Sequence, residues 1–323
     1  MAAPGLLRPE SAQDVLDRIG RVPSGHREFT VPESAVRSFG IGRDLLGELL
    51  DRGLPSAGSG ASRGFDEYDL LNIGIALGLP CDSWWRMRLW SRAFDLLTDE
   101  QRLAYQLHMT VDCPDAGHPG PCRLMLSQSV SDALPGSEPR REGDGFDLAP
   151  VVGAEPELLA PLTELMADVE PLRFHLLPES LTTDLKFAAL SGLANPRLAT
   201  RFLADAAQRR GLPVRSAGGM ILMWPNALPH EWLEVRHAGR WFAADPFMLL
   251  ALTRWRLLDP ARWPPVRSLP PIAWRLFPQW DDGAPQHIAG RGLVTHDGSW
   301  ARMTLRVLKY HAVPPAEAIA GSS

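Results

Sequence analysis

The run Pro229-His230-Glu231-Trp232-Leu233-Glu234-Val235, followed after a short turn by Gly239-Arg240-Trp241-Phe242-Ala243-Ala244-Asp245-Pro246, is the stretch best furnished for chemistry. His230 heads one alternating apolar–polar segment and Asp245 ends the next. Paired as a hairpin across His237-Ala238-Gly239, the two segments bring an imidazole and a carboxylate side by side at the open end. A carboxylate behind an imidazole orients the ring and fixes its tautomer, which is what a proton shuttle serving a nucleophile requires. Arg215, Trp232 and Trp241 around the pair, and Asn195 ahead of it, are the candidate ligand contacts. The plainer reading is a His satisfying a backbone carbonyl at a strand start and an Asp-Pro turn opener.

A second constellation is Cys113-Pro114-Asp115-Ala116-Gly117-His118-Pro119-Gly120-Pro121-Cys122. Cys113, His118 and Cys122 are weak metal candidates: three potential ligands do not close a structural zinc site, and pairs at two-residue spacing are missing. An ordinary Pro/Gly-rich loop carrying two thiols is the favoured reading. No metal and no cofactor are expected.

The elements that must position these residues are readable in outline. Asn195-Pro196 is a helix start, with Asn capping the free N–H groups and Pro fitting the first turn. The helix runs through Leu198, Phe202, Leu203 and Ala206 to Gly211. Strands are expected over 214–222, 231–236 and 240–244. Amphipathic helices are expected over 157–169 and 181–193. In the N-terminal part, 12–19 is a short amphipathic piece, 34–41 a short helix stopped by Gly40, and 43–50 a second helix. A small, flexible stretch over 56–63 leads into a third helix from Phe65 to Leu79. The aromatic and apolar spacing over 82–109, from Trp84 to Leu107, predicts a packed helical pair.

Composition bounds the class. Of 33 basic residues all but Lys186 and Lys309 are arginines, and with 30 Pro and 28 Gly this reads as coding bias rather than as phosphate binding. The formal charge of -5 argues against coating nucleic acid by charge alone. A mean hydropathy of -0.11, with no long uncharged apolar run, argues against a membrane span. No secretory signal is readable over Met1 to Pro9. Three cysteines do not make a disulfide scaffold, so a cytoplasmic, reducing compartment is the expectation.

Two resemblances follow from these motifs. Gly211-x-Pro213-x-Arg215, His230-x-Trp232-x-Glu234 and Trp241-x-x-x-Asp245-Pro246, arriving in this order after a helix, resemble the second half of a transglutaminase-like, papain-related core. The resemblance implies a Cys nucleophile at the helix start, with His230 shuttling the proton and Asp245 orienting it. Here that position falls on Pro196, which carries no nucleophile. The order helix, turn, helix, Gly-rich wing, helix, with Asp51-Arg52-Gly53-Leu54 and Tyr68-Asp69-Leu70-Leu71, resembles the winged-helix unit of MerR-type regulators. Residues 1–110 hold 12 Arg against 15 Asp and Glu, a net of -3, so duplex DNA is disfavoured and a peptide or protein partner preferred.

The expectation is an α+β protein. A helical, winged-helix-like domain over 1–134 and a linker or mobile loop over 135–150 precede a transglutaminase-like domain over 151–323, its helices packed on an antiparallel sheet. The leading function is a degenerate member binding a peptide or acyl substrate in the old cleft without Cys-based turnover. One alternative is an amide-bond hydrolase or acyltransferase using His230 and Asp245 with a relocated nucleophile. Another is a transcription regulator whose C-terminal domain senses a ligand.

Overall fold

A computed structural model of the chain describes residues 10–95, 102–112, 140–142, 145–153, 157–225, 227–270, 272–274, 291–293 and 300–313. The described helices, in chain order, are α1 (Ala12–Arg21), α2 (Arg43–Asp51), α3 (Glu67–Ala76), α4 (Asp82–Asp95), α5 (Ala160–Thr163), α6 (Met166–Val169), α7 (Leu185–Ser191), α8 (Pro196–Arg209) and α9 (Pro246–Arg254). The strands are β1 (Val31–Pro32), β2 (Gly64–Phe65), β3 (Arg102–Asp112), β4 (Arg140–Glu142), β5 (Gly145–Leu148), β6 (Val151–Gly153), β7 (Arg173–Phe174), β8 (Leu193–Ala194), β9 (Val214–Ile221), β10 (Leu228–His237), β11 (Arg240–Ala244), β12 (Ala273–Trp274), β13 (Arg291–Leu293) and β14 (Trp300–Val313). The architecture is mixed α+β with mainly antiparallel sheets; β7 and β8 alone among the described pairs run parallel. No described helix is long and apolar enough to cross a membrane.

The chain forms two compact units, each gathered from three stretches. The first takes the described residues within 1–91, 164–210 and 246–265. Its N-terminal helices follow local rules. Ser11 and Asp14 close a capping box on α1. The 3-10 turn Glu33–Phe39 stops at Gly40, whose φ of 79° is left-handed backbone open to glycine. Asp66 caps α3. Val15, Ile19, Leu49, Phe65, Leu70 and Ile73 meet in a core with no solvent exposure. Asn72 of α3 spans 104 residues of sequence: its Nδ2 donates to the Leu176 carbonyl at 2.9 Å and its Oδ1 accepts the Leu176 N–H at 2.7 Å. Trp84 meets Trp255 edge-on, and Trp255 in turn meets Phe174.

The second unit takes the described residues within 92–163, 211–245 and 266–323. It holds two antiparallel sheets. One runs β11-β10-β9-β12; the other runs β13-β14-β3-β5-β4, with β6 also on β3. Backbone bonds from Ala227 to Leu305 and from Val307 to Pro225 join the segment before β10 to β14.

Several expectations are corrected. The second member of the helical pair over 82–109 is strand β3. Leu103 and Leu107 fit helical spacing, but Tyr105 and Met109 are buried between and beyond them, so the true period is 2. The segment over 135–150 carries β4 and β5, and β5 pairs with β3, so residues 140–142 and 145–148 are sheet rather than linker. The single helix over 157–169 is two short ones. Leu159 donates to the Val266 carbonyl and Ser268 to that of Glu157, so the backbone is committed to a bridge before α5 starts at Ala160, with Pro161 in its first turn. Over 181–193, a 3-10 turn at Glu179–Leu181 precedes α7, which starts at its Asp184 cap. The units also cut across the boundaries 1–134 and 151–323, because pairings such as Asn72 with Leu176 and β3 with β14 join distant stretches.

Candidate functional site

The site is built by the β9–β10–β11 register. His237 pairs with Arg240, leaving Ala238 and Gly239 as a two-residue turn with φ of 47° and 81°. Two successive left-handed residues make the tight turn whose twist suits a hairpin. That turn sets Leu233 opposite Ala244, and Asp245 follows at once. On the other side His230 pairs with Gly219, Trp232 with Ala217 and Glu234 with Arg215. Alternation puts His230, Trp232 and Glu234 on one face of β10.

His230 and Asp245 meet on that face, Nε2 to Oδ2 at 2.7 Å, with side chains only 4% and 3% exposed. A carboxylate can only accept, so Nε2–H donates to Asp245. Trp232 lies beside the pair, its ring 6.3 Å from the imidazole centroid at an interplanar angle of 24°. The indole reaches across β9. A Cβ on Gly219 would come within 2.7 Å of Trp232 Cη2 and 2.1 Å of the Trp274 carbonyl oxygen, so both β12 and the indole depend on a residue without a side chain there. The indole is 1% exposed, and its Nε1–H has no hydrogen-bond partner among the described residues.

Further along the same face, Arg215 donates from Nε to Glu234 Oε2 at 2.7 Å, and its Nη2 stands 2.6 Å from the same oxygen in an ion pair. Its guanidinium also lies over the Trp241 ring, 4.1 Å from the centroid. Trp241 is 43% exposed, so this end of the face meets solvent while the His230 end does not. The sequence-selected residues His230, Asp245, Arg215, Trp232 and Trp241 thus share one sheet face. Asn195 belongs to the first unit, where its Oδ1 accepts the Leu198 N–H at 2.9 Å and caps α8. Pro196 opens that helix. Cys81, buried, is the one cysteine among the described residues. Cys113, His118 and Cys122 lie outside them, and no group of three or more potential ligands that could hold a metal stands among those described.

Sequence reasoning named Glu234 within the His-x-Trp-x-Glu motif but gave it no role at the site, and it passed over Gly219. Alternation from His230 through Trp232 signals Glu234, whereas Gly219 carries no signal without the register of β9. It also passed over His175 and over the pair His108–Asp147, joined Nδ1 to Oδ1 at 2.7 Å across β3 and β5. With β3 read as helix, no cross-strand partner for His108 was in view. Comparison with protein-family models, with curated proteins and with solved structures returns no match.

Proposed function

We propose that the face of β9, β10 and β11 binds a peptide or acyl ligand without covalent turnover, as a degenerate transglutaminase-like cleft would. The observation that carries this reading is the buried 2.7 Å pair of His230 and Asp245, in line on one face with Trp232, Arg215 and Trp241. An imidazole held by a carboxylate at Nε2 is a fixed polar group on that face. The thiol that the resemblance would need is replaced by Pro196 at the start of α8. Hydrogen bonding and apolar contact then remain as the means of recognition, and a peptide or acyl amide offers both.

The test is a library of N-acetylated tetrapeptide amides screened against the full chain by fluorescence anisotropy. Saturable binding that survives alkylation of all free cysteines and is weakened at least tenfold by His230→Ala is the expected result. A library with no binder overturns the reading.

The same His230–Asp245 geometry favours a second reading, an amide-bond hydrolase or acyltransferase with a relocated nucleophile. Stoichiometric labelling of Cys81, Cys113 or Cys122 by a thiol-directed acyl probe, lost in His230→Ala, would establish that reading in place of the first.

A further inference from the structure

The first unit holds a cavity of about 620 Å3, inside the range of ligand sites, between the 3-10 turn Glu33–Phe39, the start of α2 and Gly60. Its floor is apolar. Val36, Ile41 and Leu46 line it, and all three are buried members of the first unit's core. Its rim is open. Arg37, Gly42, Arg43 and Gly60 line it and are exposed, and a Cβ added to Gly42 or Gly60 would meet no atom within 4 Å. A ligand therefore has a way in. The side chains of Arg37 and Arg43 have no hydrogen bond or ion pair among the described residues. Glu33, the one acidic residue of the lining, stands 3.5 Å from Arg63, which is outside it. Two guanidinium groups against one carboxylate leave the lining with a single excess positive charge. Gly42 precedes α2 and brings no side chain to cap the N–H groups of its first turn, so the helix adds donors of the same sign.

We propose that this cavity binds a small organic carboxylate, its head held by Arg37 and Arg43 and a short apolar body laid on Val36, Ile41 and Leu46. The planar fork of a guanidinium matches a carboxylate, and an unpaired arginine gives up no existing partner to take one. One negative charge balances the excess charge of the lining, whereas a phosphate dianion overshoots it. A nucleic acid backbone laid along α2 would also run past Asp44, Glu48 and Asp51, all exposed. The floor supplies the second half of the recognition, since aliphatic side chains reward an aliphatic body and give nothing to a bare ion. This site belongs to the first unit and does not rest on the binding reading of the β9–β10–β11 face. A short fatty acid and the free C-terminus of a peptide ending in an aliphatic residue share the required chemistry.

The test titrates hexanoate and N-acetyl-glycyl-leucine into the full chain by calorimetry, each beside its uncharged amide. At least one carboxylate is expected to bind saturably and about tenfold more tightly than its amide, the scale of one charge-assisted hydrogen bond. Tighter binding of hexanoate identifies an aliphatic acid as the ligand class, and tighter binding of the dipeptide identifies a chain terminus; either supports the site. In the double variant Arg37→Gln, Arg43→Gln the preference for carboxylate over amide is expected to fall below about twofold. Gly42→Asp serves as an independent variant. It places a carboxylate of the chain's own at the cap of α2, and it is expected to raise the urea midpoint while weakening ligand binding about threefold. No saturable binding of either carboxylate, or a preference left intact in the double variant, would overturn the inference. So would a duplex oligonucleotide that binds through the two arginines where neither carboxylate does, which would assign the cavity to nucleic acid instead.

Discussion

At the scale of single residues, buried polar groups decide the behaviour. Asp245 holds His230 in a nearly dry site, so Asp245→Ala strands the imidazole donor. The expected loss is about 1.5–3 kcal/mol of stability, the range for a hydrogen bond to a charged group, read as a lower urea midpoint with unchanged slope. His175 in the first unit is 1% exposed, with Nδ1 unpartnered among the described residues. Burial, reinforced by Arg18, Arg27 and Arg21, pulls its imidazole down to about 3. A value depressed below the ordinary 6.5 means that its contribution to stability is whole above pH 6.5 and drains away as pH falls toward 3. Asp69 works in the other direction. Burial pushes its carboxyl up to about 6 against the pull of Arg27 at 2.9 Å, so its contribution is whole below about 3.8 and lost as pH rises through 6. The two oppose each other between pH 4 and 6, and a substitution separates them. Between pH 7 and pH 5, His175→Phe is expected to gain stability relative to wild type by roughly 2 kcal/mol, seen as diverging urea midpoints. Parallel curves would mean that His175 does not titrate in this way.

At the scale of elements, the β9–β10–β11 sheet was the most legible part of the chain. Its hairpin turn, its alternation and its terminal His and Asp are all local features, and local sequence specifies them. The start of α8 was legible for the same reason, since an Asn cap followed by Pro acts within one turn. Strand β3 was misread because spacings of four residues, as between Leu103 and Leu107, satisfy both a helix and a strand; Tyr105 and Met109 were the residues that distinguished them. Gly219 was invisible because its constraint comes from β12 and from Trp232, not from its neighbours in sequence. It also yields a sharp expectation. Gly219→Ala sets a methyl group against a carbonyl oxygen 2.1 Å away, which backbone cannot avoid by a rotamer change. A loss of about 1–3 kcal/mol or more, of the overpacking kind, is expected in thermal unfolding, together with a shift in Trp232 fluorescence. A neutral Gly219→Ala would mean that β12 is not fixed against β9 as described.

At the scale of the whole molecule, residues far apart in the chain complete each unit. Domain boundaries placed at 134 and 151 followed composition, and composition does not register which distant stretches pair. Asn72 shows the difference: it is 3% exposed, and both ends of its amide bind the backbone of Leu176. Asn72→Ala leaves that N–H and C=O without their partner at a partly buried position. The expected cost is about 2–4 kcal/mol, taking two orphaned groups at the lower half of their usual range. Hydrogen exchange should speed up selectively at Leu176 and its neighbours, whereas a purely local effect in α3 would leave Leu176 protected.

The partner of Asn72 is also late to arrive. A ribosome adding about 5–20 residues each second needs roughly 5–20 s to travel the 104 positions from Asn72 to Leu176. Throughout that interval the nascent α3 presents an amide whose mate has not been made, and the first unit still awaits its stretch within 246–265. Vectorial synthesis therefore leaves a long window in which an early helical segment waits beside the exit tunnel. Slow or fast codons between the two positions become a lever on yield that no equilibrium measurement on the finished protein would reveal.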